Sequence, residues 1–556
     1  MPMAPQSDLS FTALLLLFLF SVAVWFGPLD YRKLVKPDEG RYAEIAREMA
    51  VTGDWITPRL NGIKYFEKPP LQYWATAAAF KTFGLHGWTA RLWTALTGFL
   101  TLLLVWWAGR RFFGPAAGLY AALVTGSSLY FIGMGHVSTL DMGLTLFTTL
   151  ALVGFGAAGQ EGATESARKR AMLVTWAAMG LAVLSKGLVG IVLPGATLVL
   201  YMLLSRDWQL LRRLHLLAGL AIFLAITAPW FVAVSLKNPE FPWFFFIHEH
   251  LLRYATSEAR REGPVYYFVP ILLAGFLPWV VVMFDAIWDA LRNPRALASN
   301  RPALVLVIWS IFIFAFFSLS GSKLPSYILP IFPALALLMG RRLAGIATRR
   351  LAWETVPIVF IAGAGFYFIA DAAINADDSI SRPLYHQYSY WLYAATATML
   401  AGALWCCYLA WRGKKLPALL GLSVAGLLAA QLAVCGHESM APTQSAHALA
   451  ARTRPYLGPD TPFYSVKMYD QTLPFYLQRT LTLVDYQDEF SYGLAQEPRL
   501  GVPTLAEFKS RWLQDKNALA IMQPQLYEEL RVQGLPMNVI VNDGTRIVVN
   551  KPGELK

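Results

Sequence analysis

The sequence is poor in cysteine and in charge. Cys406 and Cys407 are adjacent inside one apolar run and Cys435 ends another, which accounts for all three cysteines. No disulfide framework or CxxC metal site is therefore available, and cysteine says little about compartment. Only 15% of the 556 residues are charged while 56% are hydrophobic, whereas soluble domains carry about a quarter charged. That composition indicates an integral membrane protein. Nucleic acid is not a partner, despite the formal net charge of +12. Residues after 436 hold 12 Lys and Arg against 13 Asp and Glu, so of the chain's 47 and 35 the remaining 35 and 22 fall in the greasy part. A nucleic-acid reader concentrates its surplus on a polar face, but a polytopic protein puts it in cytoplasmic loops.

A spanning helix needs about 20 apolar residues. Thirteen stretches qualify, centred in residues 11–29, 89–108, 116–134, 140–158, 171–185, 188–204, 214–236, 265–288, 302–319, 325–340, 352–370, 390–410 and 416–435. Alternate loops between them carry the bases: Arg110 and Arg111, "RKR" at 168–170, Arg206 with Arg212 and Arg213, and Arg292 with Arg295 and Arg301. The "RR" pairs at 341 and 349 and "RGKK" at 412–415 continue the series. By the positive-inside rule all of these loops are cytoplasmic, which places the N-terminus inside and residues 437–556 outside, in the bacterial periplasm. The first span is an exception, because Arg32, Lys33 and Lys36 follow it and no Lys or Arg precedes it. It also lacks the charged n-region of a cleaved signal peptide. Bases held on the wrong side of the membrane are expected to bind something there.

The tail, 437–556, has globular composition, with strand-like "TPFYSV", "TLTLVD", "NVIVND" and "TRIVVN" and helical "TLAEFKSRWLQ". This predicts a small α/β domain, outside the membrane, following a transmembrane domain over 1–436. The tail has no P-loop, no GxSxG and no GxGxxG, so the nucleotide and hydrolase signatures are missing.

Three outside segments are long or polar enough to hold a site. The first spans 31–88, where "DEGRYAEIAREMA" sets Ala43, Ile45, Ala46, Met49 and Ala50 against Glu44, Arg47 and Glu48. With "PPLQYWATAAAF", too short to span, it predicts helices lying in the interface. The second is "GMGHVSTLD", ending on Asp141. The third, 237–264, contains "FPWFFFIHEHLLRYATSEARREG", whose aromatic run suits the headgroup level. Together they bring Asp38, Glu39, Arg41, Glu67, Lys68, Asp141, His248, Glu249, His250 and Arg253 to one membrane surface, joined by Lys186 of "LSKGLVG" and Lys323 of "SGSKLPSY". Singly, each such residue is most simply a snorkelling or salt-bridged side chain. As a group of cations beside carboxylates at lipid headgroups, they suit a site for a phosphate on a lipid.

"KPDEGRYAEIAREMAVTGDWITPRLNGIKYFEKPPLQYW", "HVSTLDMG", "LSKGLVGIVLP" and "SKLPSYILPIFPALAL" resemble, in order, the motifs of the GT-C membrane glycosyltransferases that use polyprenyl-phosphate sugars. Within that superfamily the similarity is to bacterial lipid A 4-amino-4-deoxy-L-arabinose transferases and their protein mannosyltransferase-like relatives. The resemblance implies a GT-C fold with about 13 transmembrane helices in the bacterial inner membrane. It also implies transfer of the sugar from undecaprenyl phosphate to lipid A phosphate by inverting single displacement, with resistance to cationic peptides such as polymyxin as the outcome. Asp38 matches the family's catalytic carboxylate and Asp141 the second acidic position. A leaving phosphate needs cations or a metal. Arg41, Lys68 and Arg253, with Tyr65 and Tyr327 as donors, are expected to hold it, and Glu39, Lys186 and Lys323 to contact substrate. No cofactor is expected to be essential. Glu67 and His248 have side chains suited to a structural zinc, while hydrogen bonding near aromatics is the simpler role for His248. The expected partners are the lipid-linked donor, lipid A and membrane lipids, with the chain acting as a monomer. The competing classes are a related transferase for another sugar or a protein acceptor, and a transporter; no internal repeat supports the latter.

A reporter fused after residue 436 tests the orientation: one that needs export is expected to be active and a cytoplasmic one silent, and the reverse pattern would overturn the alternation.

Overall fold

The computed structural model describes residues 10–160, 162–252, 263–374 and 380–552. Eight of its helices are long and apolar enough to cross a membrane: Phe11–Asp30, Gly87–Phe113, Asp141–Ala158, Leu216–Lys237, Arg301–Leu319, Thr348–Ala372, Ser381–Trp411 and Lys415–Gln444. Two expected spans are broken instead of straight. Pro115–Thr125 and Leu129–His136 meet at 63°, and Phe268–Gly275 and Val280–Leu291 meet at 109°. The second break includes Pro278, which cannot donate the backbone hydrogen bond that a continuing helix requires. The three remaining stretches form Glu165–Lys186, Val189–Ser205 and Ile331–Gly345. The first of these carries "ESARKR" at its start and so lacks a fully apolar length. It ends at Gly187, whose φ of +93° is a left-handed conformation that glycine adopts without strain. The chain turns back there into Val189–Ser205, leaving Lys186 at the turn.

The tail folds around a six-stranded sheet. Numbering strands from the small hairpin β1 (Arg59–Leu60) and β2 (Ile63–Lys64), it comprises β3 (Phe463–Val466), β4 (Thr482–Val484), β5 (Gly501–Val502), β6 (Leu519–Met522), β7 (Asn538–Asn542) and β8 (Ile547–Asn550). Their order is β5-β4-β3-β6-β8-β7. β5, β4, β3 and β6 run parallel, while β8 pairs antiparallel with β6 and β7. Successive strand residues point to opposite faces. Tyr464, Val466, Ala520 and Met522 accordingly pack with Phe508 and Trp512 on one side. On the other, Phe463, Leu519 and Ile521 pack with Leu449 and Leu473.

This sheet domain sits directly on the helix Asp38–Thr52. Glu44, Arg47 and Glu48, which helical periodicity assigns to a wet face, are buried. The physical reason is that the tail covers them: Arg47 donates to the Gln478 carbonyl at 3.4 Å, and Asn61 exchanges hydrogen bonds with the Leu481 backbone at 2.7 Å. Gly40 lies against the Gln471 carbonyl so closely that a Cβ there would come within 2.6 Å of it. Helix Leu71–Phe83 packs alongside. The aromatic run of 241–246 also departs from expectation, because Phe241, Phe244 and Phe245 turn inward onto Phe66 and Trp230. Only its other side, with Trp243 and Phe246, is exposed.

Glu48 gives this interface a pH signature. Burial, then the neighbouring Glu44, pushes its carboxyl up to about 8. The folded chain therefore keeps a proton that the unfolded chain releases near the ordinary value of 4.5, so this group's contribution is complete below pH 4.5 and declines as pH rises toward 8. At about 1.4 kcal/mol per unit the upper bound is about 5 kcal/mol. The melting temperature of detergent-extracted protein is expected to fall between pH 5 and 8, and Glu48→Gln to flatten that fall. An unchanged pH profile would mean that Glu48 is not held protonated.

Candidate active site

Two adjacent carboxylates open the helix Asp38–Thr52, where the helix dipole favours negative charge, and the fold sends them in different directions. Glu39 faces inward and is fully buried. The Arg91 fork binds both of its oxygens at 2.7 Å, and the backbone N–H groups of Ser138 and Val35 donate to it at 3.1 Å. Arg32 approaches within 3.7 Å. Burial opposes the charge, but Arg91 and Arg32 outweigh it and hold the carboxyl at about 2. With its lone pairs engaged by protein, Glu39 is a structural anchor and not a substrate contact.

Asp38, about 100° further round the helix, is partly exposed and accepts a 2.8 Å bond from Arg41 Nη1. Arg41 is itself held on its other side by Glu489 of the tail, at 2.6 Å from Nε, and Gln471 donates to Glu489 at 2.8 Å. Around this trio stand the buried phenols of Tyr42, Tyr65 and Tyr73. Burial raises all three phenols well above the usual range, with Asp38 adding to the shift of Tyr42 and Glu67 to those of Tyr65 and Tyr73. They stay protonated donors as a result. The Tyr73 hydroxyl has no hydrogen-bond partner among the described residues, which is uncommon for a buried polar group.

Lys68 lies on the next stretch of loop, donating to the Glu67 carbonyl at 2.9 Å and lying 3.5 Å from Glu249. His248 stacks on Phe244 with ring centres 5.1 Å apart and sits 3.6 Å from Glu249. Among the described residues no three His, Cys, Asp or Glu side chains gather so as to hold a metal ion, so Glu67 and His248 are not completed as a zinc site. Arg253 lies outside the described residues. Lys323 is buried and donates to the Ser320 carbonyl at 2.7 Å.

Asp141 begins the span Asp141–Ala158 and is ion-paired with Lys186, whose ammonium lies 4.8 Å from the Tyr327 ring centre. Asp141, Lys186 and Tyr327 thus form one unit, a cation held between a carboxylate and an aromatic face. The buried Tyr130 hydroxyl, without a hydrogen-bond partner among the described residues, is close enough to sense the Asp141 charge.

Glu489 and Gln471 were not legible in the sequence. Glu489 reaches Arg41 across more than 400 residues and Gln471 supports Glu489, and "DYQDEFSYG" carries no local pattern that marks a ligand of an arginine.

Residues 10–245 match the family model described as dolichyl-phosphate-mannose-protein mannosyltransferase, and 449–551 match the aminoarabinose transferase C-terminal domain. The chain is 35% identical over 350 residues to the undecaprenyl phosphate-alpha-4-amino-4-deoxy-L-arabinose arabinosyl transferase of Erwinia tasmaniensis, a match spanning 62% of each chain. The enzyme of that name from Pseudomonas aeruginosa is also 35% identical, over 60% of this chain and 59% of its own. Matched segments thus span about three-fifths of these relatives. The crystal structure of ArnT from Cupriavidus metallidurans bound to undecaprenyl phosphate superimposes with a TM-score of 0.93 at 40% identity, covering 98% of this chain and 99% of that one. An archaeal oligosaccharyltransferase from Archaeoglobus fulgidus shares the fold alone, at 13% identity and a TM-score of 0.52.

The two carboxylates make opposite predictions. Glu39→Gln leaves Arg91 buried without its counter-ion, at a cost of about 3–5 kcal/mol, and is expected to lower the melting temperature or abolish the yield of folded protein. Asp38→Asn is expected to melt within a degree or two of the parent chain. Equal melting of both variants would contradict the anchor role of Glu39.

Proposed function

Because the chain belongs to the aminoarabinose transferase (ArnT) family of GT-C membrane glycosyltransferases, we propose that it moves 4-amino-4-deoxy-L-arabinose from undecaprenyl phosphate to a phosphate of lipid A. The reaction takes place at the periplasmic face of the bacterial inner membrane. The observation that carries this reading is the Asp38–Arg41–Glu489 trio, with Lys68 further along the same outside segment: a partly exposed carboxylate and cations, with neutral phenol donors around the trio.

In this reading the bond between the sugar's anomeric carbon and the phosphate oxygen of undecaprenyl phosphate breaks, and its electron pair leaves with the phosphate. An oxygen of the acceptor phosphate attacks from the opposite face, inverting the anomeric centre. Charge growing on the leaving phosphate is met by Lys68 and Arg41, with Tyr65 donating a hydrogen bond. Two carboxylates already grip Arg41, which fixes its guanidinium in place without a reorganisation step. The acceptor needs little help, since the second pKa of a phosphate monoester is about 6. Asp38, negatively charged and paired with Arg41, suits the sugar's 4-ammonium group better than it suits proton abstraction. The Asp141–Lys186–Tyr327 unit and Lys323 supply further charge at the edge of the same membrane surface. Available cations make an essential metal unnecessary in this scheme. Adding an amino sugar to a lipid A phosphate places a positive charge on an anionic surface and weakens its attraction for cationic peptides such as polymyxin.

The test is transfer by purified protein, read with donor binding and with mass spectrometry of lipid A from cells with and without the chain. Asp38→Asn is expected to abolish turnover while donor binding persists. Lys68→Ala loses a charge-assisted contact of about 1.5–3 kcal/mol and is expected to weaken undecaprenyl phosphate binding tenfold to a hundredfold. If Lys68 served only the pair with Glu249, the loss would be at most about 1 kcal/mol. Chelator-treated protein is expected to keep its activity. Unmodified lipid A in both strains would point to another sugar or a protein acceptor, and full activity of Asp38→Asn would remove its role.

A further inference from the structure

The bases that follow the first span remain to be accounted for, and the structure divides them. Arg32 is drawn inward, donating to the His136 carbonyl at 2.8 Å and approaching Glu39. Lys33 goes elsewhere. Its backbone N–H donates to Glu438 at 2.7 Å, and it lines an open pocket of about 240 Å³ between the ends of two spans and the tail, whose wall Arg32 also touches from its inward position. Also lining it are His86, which precedes the span Gly87–Phe113, and His447 and Arg454 of the tail. Among the described residues the charged side-chain groups of Lys33, His86, His447 and Arg454 form no ion pair within 4.0 Å, the Glu438 carboxylate meeting Lys33 only at its backbone N–H. Among the described residues the Arg454 side chain donates to the Tyr476 carbonyl alone, at 2.6 Å. One acid lines the pocket, Asp30, and its carboxylate already accepts the Trp88 backbone N–H at 3.0 Å. Burial, then Lys33 and Arg454, holds His447 below the usual histidine range, so both cations act on the same ring. Loose cations that repel one another around a shared space cost energy unless an anion joins them.

Position identifies the anion's chemistry. Phe83 and Trp88 pack on each other with ring centres 5.5 Å apart, and His86 stacks on Trp88; Phe83 and Tyr31 are exposed. Amphipathic and aromatic rings at the end of a span mark the headgroup level. The volume lies below the 300–1,000 Å³ of pockets for drug-sized ligands and suits a single headgroup group. We propose that Lys33, His86, His447 and Arg454 form an accessory phosphate site at the headgroup level, clamping the tail to the membrane surface beside the first span. It uses none of the residues assigned to transfer.

Native mass spectrometry of the full chain in detergent, titrated with phosphatidylglycerol, tests this, with diacylglycerol as the phosphate-free control and inorganic phosphate as competitor. One saturable phosphatidylglycerol is expected on the parent chain and none for diacylglycerol. Removing cations near a charged headgroup weakens binding about fivefold per charge, so Lys33→Ala with Arg454→Ala is expected to raise the half-saturating lipid concentration about twenty-five-fold. Lys33→Gln alone, which breaks no internal ion pair, is expected to give about fivefold and guards against misfolding of the double variant. Displacement by millimolar inorganic phosphate would identify a bare-anion pocket, and resistance to it a lipid-borne phosphate; both support the site. Equal retention of diacylglycerol, or retention unchanged in both variants, would overturn it.

Discussion

A buried ion pair, Glu39 with Arg91, holds the arrangement on which the site depends. Taking a carboxylate and a guanidinium out of water is costly, and their attraction compensates only when geometry and extra hydrogen bonds are complete. Here both carboxylate oxygens meet the arginine fork, and the Ser138 and Val35 amides fill the remaining directions. Arg91 in turn donates to the carbonyls of Leu29, Arg32 and Lys33. One side chain from the second span thus ties together the end of the first span, the start of the helix Asp38–Thr52 and the loop before Asp141. Because helix residues advance by about 100°, fixing Glu39 inward fixes its neighbours: Asp38 points out, Gly40 seats on the tail, and Arg41 reaches Glu489.

The tail is therefore part of the site and not an appendage. It closes over Glu44, Arg47 and Glu48, it supplies one of the two carboxylates on Arg41, and its Tyr492 ring stacks on Phe244 with centres 3.8 Å apart. Through Phe244 it touches His248 and the segment that carries Glu249, the partner of Lys68. Charges at the opposite, base-rich loops have a different character. Asp285 is gripped by Arg342 and Arg350, and Arg350 also pairs with Glu354 at 2.8 Å. That network joins three helices and leaves no exposed carboxylate beside a phenol ring.

Much of this was readable from residues alone. Apolar length and loop charge located the helices, because both follow from the cost of placing polar groups in hydrocarbon. The short motifs picked out Asp141, Lys186 and Tyr327, which the fold brings into contact, since their positions at the ends of helices are local properties. The strand-like runs "TPFYSV" and "TRIVVN" do form strands, β3 and β8. What failed depended on contacts distant in sequence. Nothing near Glu39 distinguishes it from Asp38; only Arg91, 52 residues on, makes one a buried anchor, while the other stays partly exposed beside Arg41. The polar stripe of Glu44, Arg47 and Glu48 looked wet because its cover lies more than 400 residues away. The 109° break at Pro278 interrupts a stretch whose composition is as apolar as a continuous span, and hydropathy does not register direction.

The central claim is that Lys68 and Arg41 receive the lipid phosphate while Asp38 faces the sugar. A map of the full chain with bound undecaprenyl phosphate tests it directly. The account predicts the phosphate within about 2.7–2.9 Å of Lys68 Nζ, the range for charge-assisted bonds, with Arg41 still bridging Asp38 and Glu489. A phosphate held away from both cations, with Lys68 still turned toward Glu249, would contradict it.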